Sequence, residues 1–130
     1  MLGRSPRFSL DLPAEPVSLS RMRRDLARWL RNLGAEDEEA FDIIVSCNEA
    51  AANAVEHAID PAACSIHIDG SCEEAEITIV VRDSGRWREP VESDRGRGLT
   101  LMRNLMDSLQ VNPTRSGTEV CMTRRLRTVG

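Results

Sequence analysis

The chain has 130 residues, of which 41% are hydrophobic and 29% charged, enough for one domain with a real core and too apolar for wholesale disorder. A net charge of -4 and a pI near 5.2 argue against a protein that coats nucleic acid, which needs a basic footprint. All 17 basic residues are arginines, so the P-loop lysine and the strand lysine of eukaryotic-type protein kinases are both excluded, and any phosphate chemistry must use another scaffold.

Taken in chain order, Phe8, Leu10 and Leu12 alternate with polar residues, which predicts a half-buried first strand ending at Pro13. Leu19, Met22, Leu26, Trp29, Leu30 and Leu33 then repeat at helical spacing, and Gly34 supplies a stop. The other face of this first helix carries Arg21, Arg23, Arg24, Arg28 and Arg31 against Asp25, a basic ridge that is either a solvated face or a docking surface for an acidic partner.

Residues 36–59 predict the central helix. Its acidic first turn, Glu36 to Glu39, suits the positive end of a helix dipole. Ala40, Ile43, Ile44, Cys47, Ala51, Ala54, Val55 and Ala58 fall on one side, a core-facing stripe. Asp42, Ser46, Glu49, Asn53 and His57 form a second stripe, in which a carboxylate, an amide and an imidazole recur every four residues among small alanines, like the wall of a site.

Beyond Pro61, residues 64–70 and 75–82 alternate and read as a hairpin whose connection is Gly70 to Glu74. His67 within it reads as a surface histidine. Residues 86–97 lack an apolar period and read as a loop, after which Gly98 opens a third helix with Leu99, Met102, Leu105, Met106 and Leu109 toward the core. Strands over 109–112 and 118–126, joined by the turn Pro113 to Gly117, finish the chain. The order implies an α+β two-layer sandwich in one domain (core about residues 8–126), with a mixed, mostly antiparallel sheet covered on one face by helices.

No apolar run reaches the roughly 20 residues of a membrane helix, and the N-terminus lacks a signal-peptide core, so a cytoplasmic protein without membrane association is expected. Cys47, Cys64, Cys72 and Cys121 form no C-x-x-C pair and read as free, buried thiols.

Three further segments carry chemistry. In Arg82-Asp83-Ser84-Gly85, an aspartate at a strand end can accept from an exocyclic amine, and a glycine lets a planar base approach the backbone. In Gly96-Arg97-Gly98-Leu99, paired glycines lead into a helix whose free amides can hold phosphate oxygens. Gly117-Thr118-Glu119-Val120 places a small hydroxyl residue at the entry of a late strand.

With the stripe from Glu49 to His57, and in this order, these pieces resemble the motifs of the Bergerat-fold (GHKL) ATPases, the superfamily of DNA gyrase, bacterial histidine kinases and MutL. Glu49 to His57 matches the N box, Asp83 to Gly85 the first glycine box, Gly96 to Leu101 the second, and Thr118 the closing threonine. The short chain and the Glu-Ala-x-x-Asn-Ala-x-x-His spelling are most similar to the anti-sigma factor serine kinases of the RsbW and SpoIIAB type.

The resemblance implies ATP and Mg²⁺ as cofactors, Glu49 as general base, and Asn53 as a Mg²⁺ ligand in a nucleotide site that includes His57. It implies Asp83 on the adenine amine with Thr118 in support, and Gly85, Gly96, Arg97, Gly98 and Leu99 around the nucleotide. It also implies Arg23 or Arg24 as a partner contact, an RNA polymerase sigma factor and a STAS-domain anti-anti-sigma protein as partners, no direct nucleic-acid contact, and a homodimer. Trp87 stands where the family often has a second glycine, and residues 86–95 make a short, arginine-rich lid. A nucleotide-binding interaction module without phosphoryl transfer is therefore the alternative function, favoured by Trp87 and opposed by Glu49 and Asn53.

Overall fold

The computed structural model describes residues 6–57, 64–84, 92–114 and 117–127, the side chains of His57, Ser84 and residues 92–98 excepted. The elements run β1 (Arg7–Pro13), α1 (Pro16–Leu33), α2 (Asp37–His57), β2 (Ser65–Glu73), β3 (Glu76–Ser84), α3 (Glu92–Leu105), β4 (Ser108–Thr114) and β5 (Gly117–Arg125). The five strands form one sheet in the order β1-β2-β3-β5-β4. All four of these pairings are antiparallel, so the expected predominance of antiparallel pairing is complete among the described strands.

Alternation along the strands separates the two faces of the sheet. Leu12, Ile66, Ile68, Ile77, Ile79, Val81 and Met122 point into the core, where Met22, Leu26 and Leu30 of α1, Ile43 and Cys47 of α2 and Met102 of α3 meet them. The opposite face carries Asp11, His67, Asp69, Arg82 and Glu119. The helices thus cover one face, as expected for the two-layer sandwich.

Local chemistry sets the element ends. Pro16 occupies the first turn of α1, where its missing N–H costs nothing, and Gly34 ends the helix at φ 89°. There Gly34 N–H donates to the Arg31 carbonyl and Ala35 N–H to the Leu30 carbonyl, satisfying the last turn. At the start of α2, Glu39 Oε1 accepts from the Glu36 backbone N–H at 3.0 Å, half of a capping box.

Gly70 in β2 is explained from above: a Cβ there would lie 3.0 Å from two ring carbons of Trp29, so the indole of α1 needs a strand position without a side chain.

Three boundaries differ from the sequence reading. The β2–β3 connection is the two-residue turn Glu74-Ala75, at φ 49° and 69°, and Gly70 to Glu73 belong to β2. The antiparallel ladder continues to the Glu73–Glu76 pair, and its hydrogen bonds prevail over the poor fit of Glu and Ala to left-handed conformations. Helix α3 begins at Glu92, not Gly98, so Gly96-Arg97-Gly98 lies inside a helix. Glu92, Ser93 and Asp94 suit a first turn, and each helical glycine costs only about 1 kcal/mol. Strand β4 extends through Pro113 and Thr114, because an edge strand tolerates a residue that cannot donate.

Candidate functional site at one end of the sheet

Two contacts orient α2 against β5. Arg127, just past β5, donates its backbone N–H to Glu39 Oε2 at 2.6 Å. Arg124 pairs with Asp42 at 2.6 Å, both side chains only 15% exposed. Advancing three residues along α2 therefore retreats three residues along β5, and the two elements run in opposite directions.

From Asp42 to Asn53 the helix climbs about 16 Å. From Arg124 back to Thr118 the strand covers about 20 Å. Asn53 and Thr118 thus belong to the same end of the molecule. Chain connection gives the same result: Ser65, where the chain re-enters the sheet after α2, pairs with Ser84 at the far end of β3, next to Asp83.

The third helix is fixed at its C-terminal end. Arg124 Nη1 also donates to the Leu105 carbonyl at 2.7 Å, fixing the C-terminus of α3 at the Asp42 end. A helix of 14 residues spans about 20 Å, the same length as the stretch of β5 from Arg124 back to Thr118. Gly96, Arg97 and Gly98 lie in its N-terminal half. Leu99 is half-buried against the core.

Asp83 closes β3 on the helix-covered face. It is half-buried, and the Thr118 backbone N–H donates to its Oδ1 at 3.2 Å. Burial pushes its carboxyl up from 3.8 to about 6, and the Thr118 N–H only partly offsets this. Thr118 itself is 5% exposed, and its Oγ1 has no hydrogen-bond partner among the described residues. A methyl built on Gly117 would overlap the Asp83 carbonyl and Oδ1, so only glycine admits this contact between β3 and β5.

A carboxylate short of donors beside a buried, unpaired hydroxyl is a polar pair that an amine-bearing base can complete. This donor and acceptor set fits an adenine amino group.

On α2, the alanines at 50, 51 and 54 are buried against the core, while Glu49 and Asn53 are half-buried beside them. Neither side chain has a partner among the described residues. His57 is the last residue of α2. The lower part of the expected stripe has a different role: Asp42 anchors Arg124, and Ser46 is fully buried, its Oγ without a hydrogen-bond partner among the described residues. Gly85, Trp87 and the rest of residues 85–91 lie outside the described residues.

Among the described residues no three of His, Cys, Asp or Glu are grouped to hold a metal. The four cysteines are free; Cys47 and Cys64 are buried as expected, whereas Cys72 and Cys121 are only partly so, and burial pushes the Cys47 thiol up to about 12, which leaves it inert at neutral pH. No described helix is long and apolar enough to cross a membrane.

The sequence profile of the histidine kinase-like ATPase domain matches residues 12–124, nearly the whole of this architecture. The chain belongs to that family. Within it, the chain is of the RsbW and SpoIIAB type. It is 30% identical over 140 aligned residues to the anti-sigma F factor of Clostridium perfringens strain SM101, covering 94% of this chain and 98% of that protein. The anti-sigma F factor of Clostridium acetobutylicum is 26% identical, covering 92% and 93%.

The crystal structure of the RsbU and RsbW domains of Rv1364c from Mycobacterium tuberculosis superposes with a TM-score of 0.79 at 25% identity. The match covers 94% of this chain but only 33% of that longer one.

Sequence reasoning points to Asp83, Thr118, Glu49 and Asn53; of these, Asp83 and Thr118 are in direct contact, Asn53 lies on α2 toward the same end, and Glu49 is one helical turn earlier. It passed over Gly117 as a residue in its own right. The signal was the glycine immediately before Thr118, whose need becomes visible only once β3 and β5 are paired.

On α1, Arg21, Arg23, Arg24, Arg28 and Arg31 are all exposed. Arg23 Nη1 donates to Asn48 Oδ1 of α2 at 2.9 Å, which holds its guanidinium in place, while Arg24 lies 4.0 Å from Asp25.

Proposed function

We propose that this protein is an anti-sigma factor that also transfers the γ-phosphoryl group of ATP to a serine or threonine of a STAS-domain anti-anti-sigma protein. The observation that carries the nucleotide part is the Asp83–Gly117–Thr118 clasp at the same end of the sheet as Glu49 and Asn53. The relatives' anti-sigma names support the regulatory part.

Each residue has a separate task. Asp83 accepts from the adenine amine, and Thr118 Oγ1 completes the polar contact around the base. Asn53 would supply an amide oxygen of the kind that suits Mg²⁺. When bound, Mg²⁺ neutralises charge on the phosphates. Free amides at the N-terminal end of α3 and its positive dipole favour the phosphates from the other side. Glu49, four residues before Asn53, is placed to orient the incoming hydroxyl and take its proton, while positioning supplies most of the remaining rate.

The exposed arginines of α1 offer an acidic partner a positive surface, with Arg23 held by Asn48 and Arg24 beside Asp25.

The test is single-turnover transfer from labelled ATP to the STAS partner. Glu49→Gln keeps size and polarity but cannot take a proton. Transfer should fall about 10²- to 10⁴-fold while ATP affinity stays within twofold. Equal transfer by the variant removes Glu49 as the base. ATP binding by the wild type without transfer to the partner replaces the kinase reading with that of an interaction module, which Trp87 favours.

A further inference from the structure

The sheet face turned away from the helices carries ionisable side chains in a row across four strands. Arg82 of β3 donates from Nε to Glu119 Oε2 of β5 at 2.8 Å and from Nη1 to Asp69 Oδ2 of β2 at 2.9 Å. His67 Nε2 lies 3.0 Å from that same Asp69 oxygen, and His67 Nδ1 contacts Asp11 Oδ1 of β1. Asp11 and His67 are direct partners in the β1–β2 register.

Both ring nitrogens of His67 therefore face carboxylates. A neutral imidazole has one N–H and one lone pair, so it can donate to one carboxylate while turning its lone pair on the other. Only the imidazolium satisfies both.

The two carboxylates are not equivalent. Asp69 is also held by Arg82 and by the Ser9 hydroxyl, and these with His67 outweigh burial to keep its carboxyl below the ordinary range. Asp11 is held by His67, and β1 is an outer strand of the sheet. We propose that His67 is a proton-operated clamp on β1: as the imidazolium it pairs with Asp11 across the β1–β2 seam while bonded to Asp69 of its own strand, and on releasing its proton to solvent it loses the charge that strengthens the Asp11 contact.

The charged groups facing the ring are Asp11 from β1, Asp69 from its own strand, and Arg82 and Glu119 behind Asp69 from β3 and β5. Carboxylates are nearest, and the hydrogen bond to Asp11 is the largest cause raising the His67 pKa above 6.5. A group raised on folding contributes stability that is complete below 6.5 and is lost as pH rises through the folded value. The clamp is thus tight below 6.5 and loosens as pH rises through the raised folded value. Strand β1 is joined to α1 by Ala14 and Glu15 alone, so its hold on the sheet bears on how firmly the arginine ridge is mounted. The clamp lies on the face opposite Asp83 and does not depend on the nucleotide reading.

Ring-nitrogen NMR and amide exchange on the full chain test this. The chain has two histidines, so the signals that vanish in His67→Gln belong to His67. The expected results are a His67 midpoint above 6.5, lowered in Asp11→Asn, and protection factors for residues 8–12 that fall about two- to fivefold more than those of β3 as pH rises through that midpoint, the scale of an exposed ion pair. His67→Gln should show the lower protection at every pH. A midpoint at or below 6.5, or β1 protection that responds to pH equally in wild type and His67→Gln, overturns the clamp.

Discussion

Replacing Asp83 by Asn should weaken ATP binding and at the same time stabilise the fold at alkaline pH. The carboxyl sits at about 6 in the folded protein against an ordinary 3.8, because burial penalises its charged form. Its raised value gives stability that is complete below 3.8 and lost as pH climbs through about 6. Undiluted, that gap corresponds to about 3 kcal/mol, but the side chain is only half-buried and solvent screening reduces the sum to about 1 kcal/mol.

Asn never ionises and keeps an oxygen for the Thr118 N–H, so it escapes this cost. Thermal melts of wild type and Asp83→Asn should coincide near pH 4 and separate by pH 8, with the variant higher by a few degrees.

ATP affinity should move the opposite way. The adenine amine needs an acceptor, and Asn can turn a donor toward it, so calorimetry should record a loss of about tenfold or more. In the wild type, affinity should also fall about tenfold between pH 7 and pH 5 as Asp83 takes up its proton. A variant that melts lower at pH 8 than the wild type, or wild-type affinity that stays flat from pH 7 to pH 5, refutes the reasoning.

Three other outcomes follow from particular contacts. Glu39 is wholly buried and accepts from the backbone N–H groups of Glu36 and Arg127, so Glu39→Ala should cost about 2–3 kcal/mol in urea unfolding with ATP affinity unchanged. Glu74→Asn with Ala75→Gly relieves two non-glycine residues at positive φ, and should gain about 1–2 kcal/mol by the same measurement. Gly117→Ala forces a methyl onto Asp83, so ATP affinity should drop at least about tenfold on calorimetry and stability by about 1–3 kcal/mol.

Periodicity carried most of the fold. The spacing of Met22, Leu26, Trp29 and Leu33, and the alternation of Ile66, Ile68, Ile77 and Ile79, depend on which side of an element meets the core, and this is written locally. Boundaries were less legible. The Glu74-Ala75 turn has neither Asn nor Gly to announce it, and α3 extends through glycines that ordinarily mark an end.

Within the candidate site, Glu49 and Asn53 stood out because short polar groups interrupted a run of alanines. The roles of Asp42, Glu39 and Gly117 come from partners on distant strands: Asp42 shares a helix stripe with Glu49, but its meeting with Arg124 appears only when β5 is laid beside α2. His67 read as a plain surface residue because each carboxylate beside it, Asp11 and Asp69, looks unremarkable until β1 pairs with β2.

The central claim is that nucleotide binds at the end of the sheet where α2 finishes. Amide chemical-shift mapping with Mg²⁺ and ATP tests it most directly. The largest shifts should fall at Glu49, Asn53, Asp83, Gly117 and Thr118, with the Glu39, Asp42 and Arg124 end and the His67 face nearly still. Shifts concentrated at that opposite end or on the His67 face, or no shifts at millimolar ATP, contradict it.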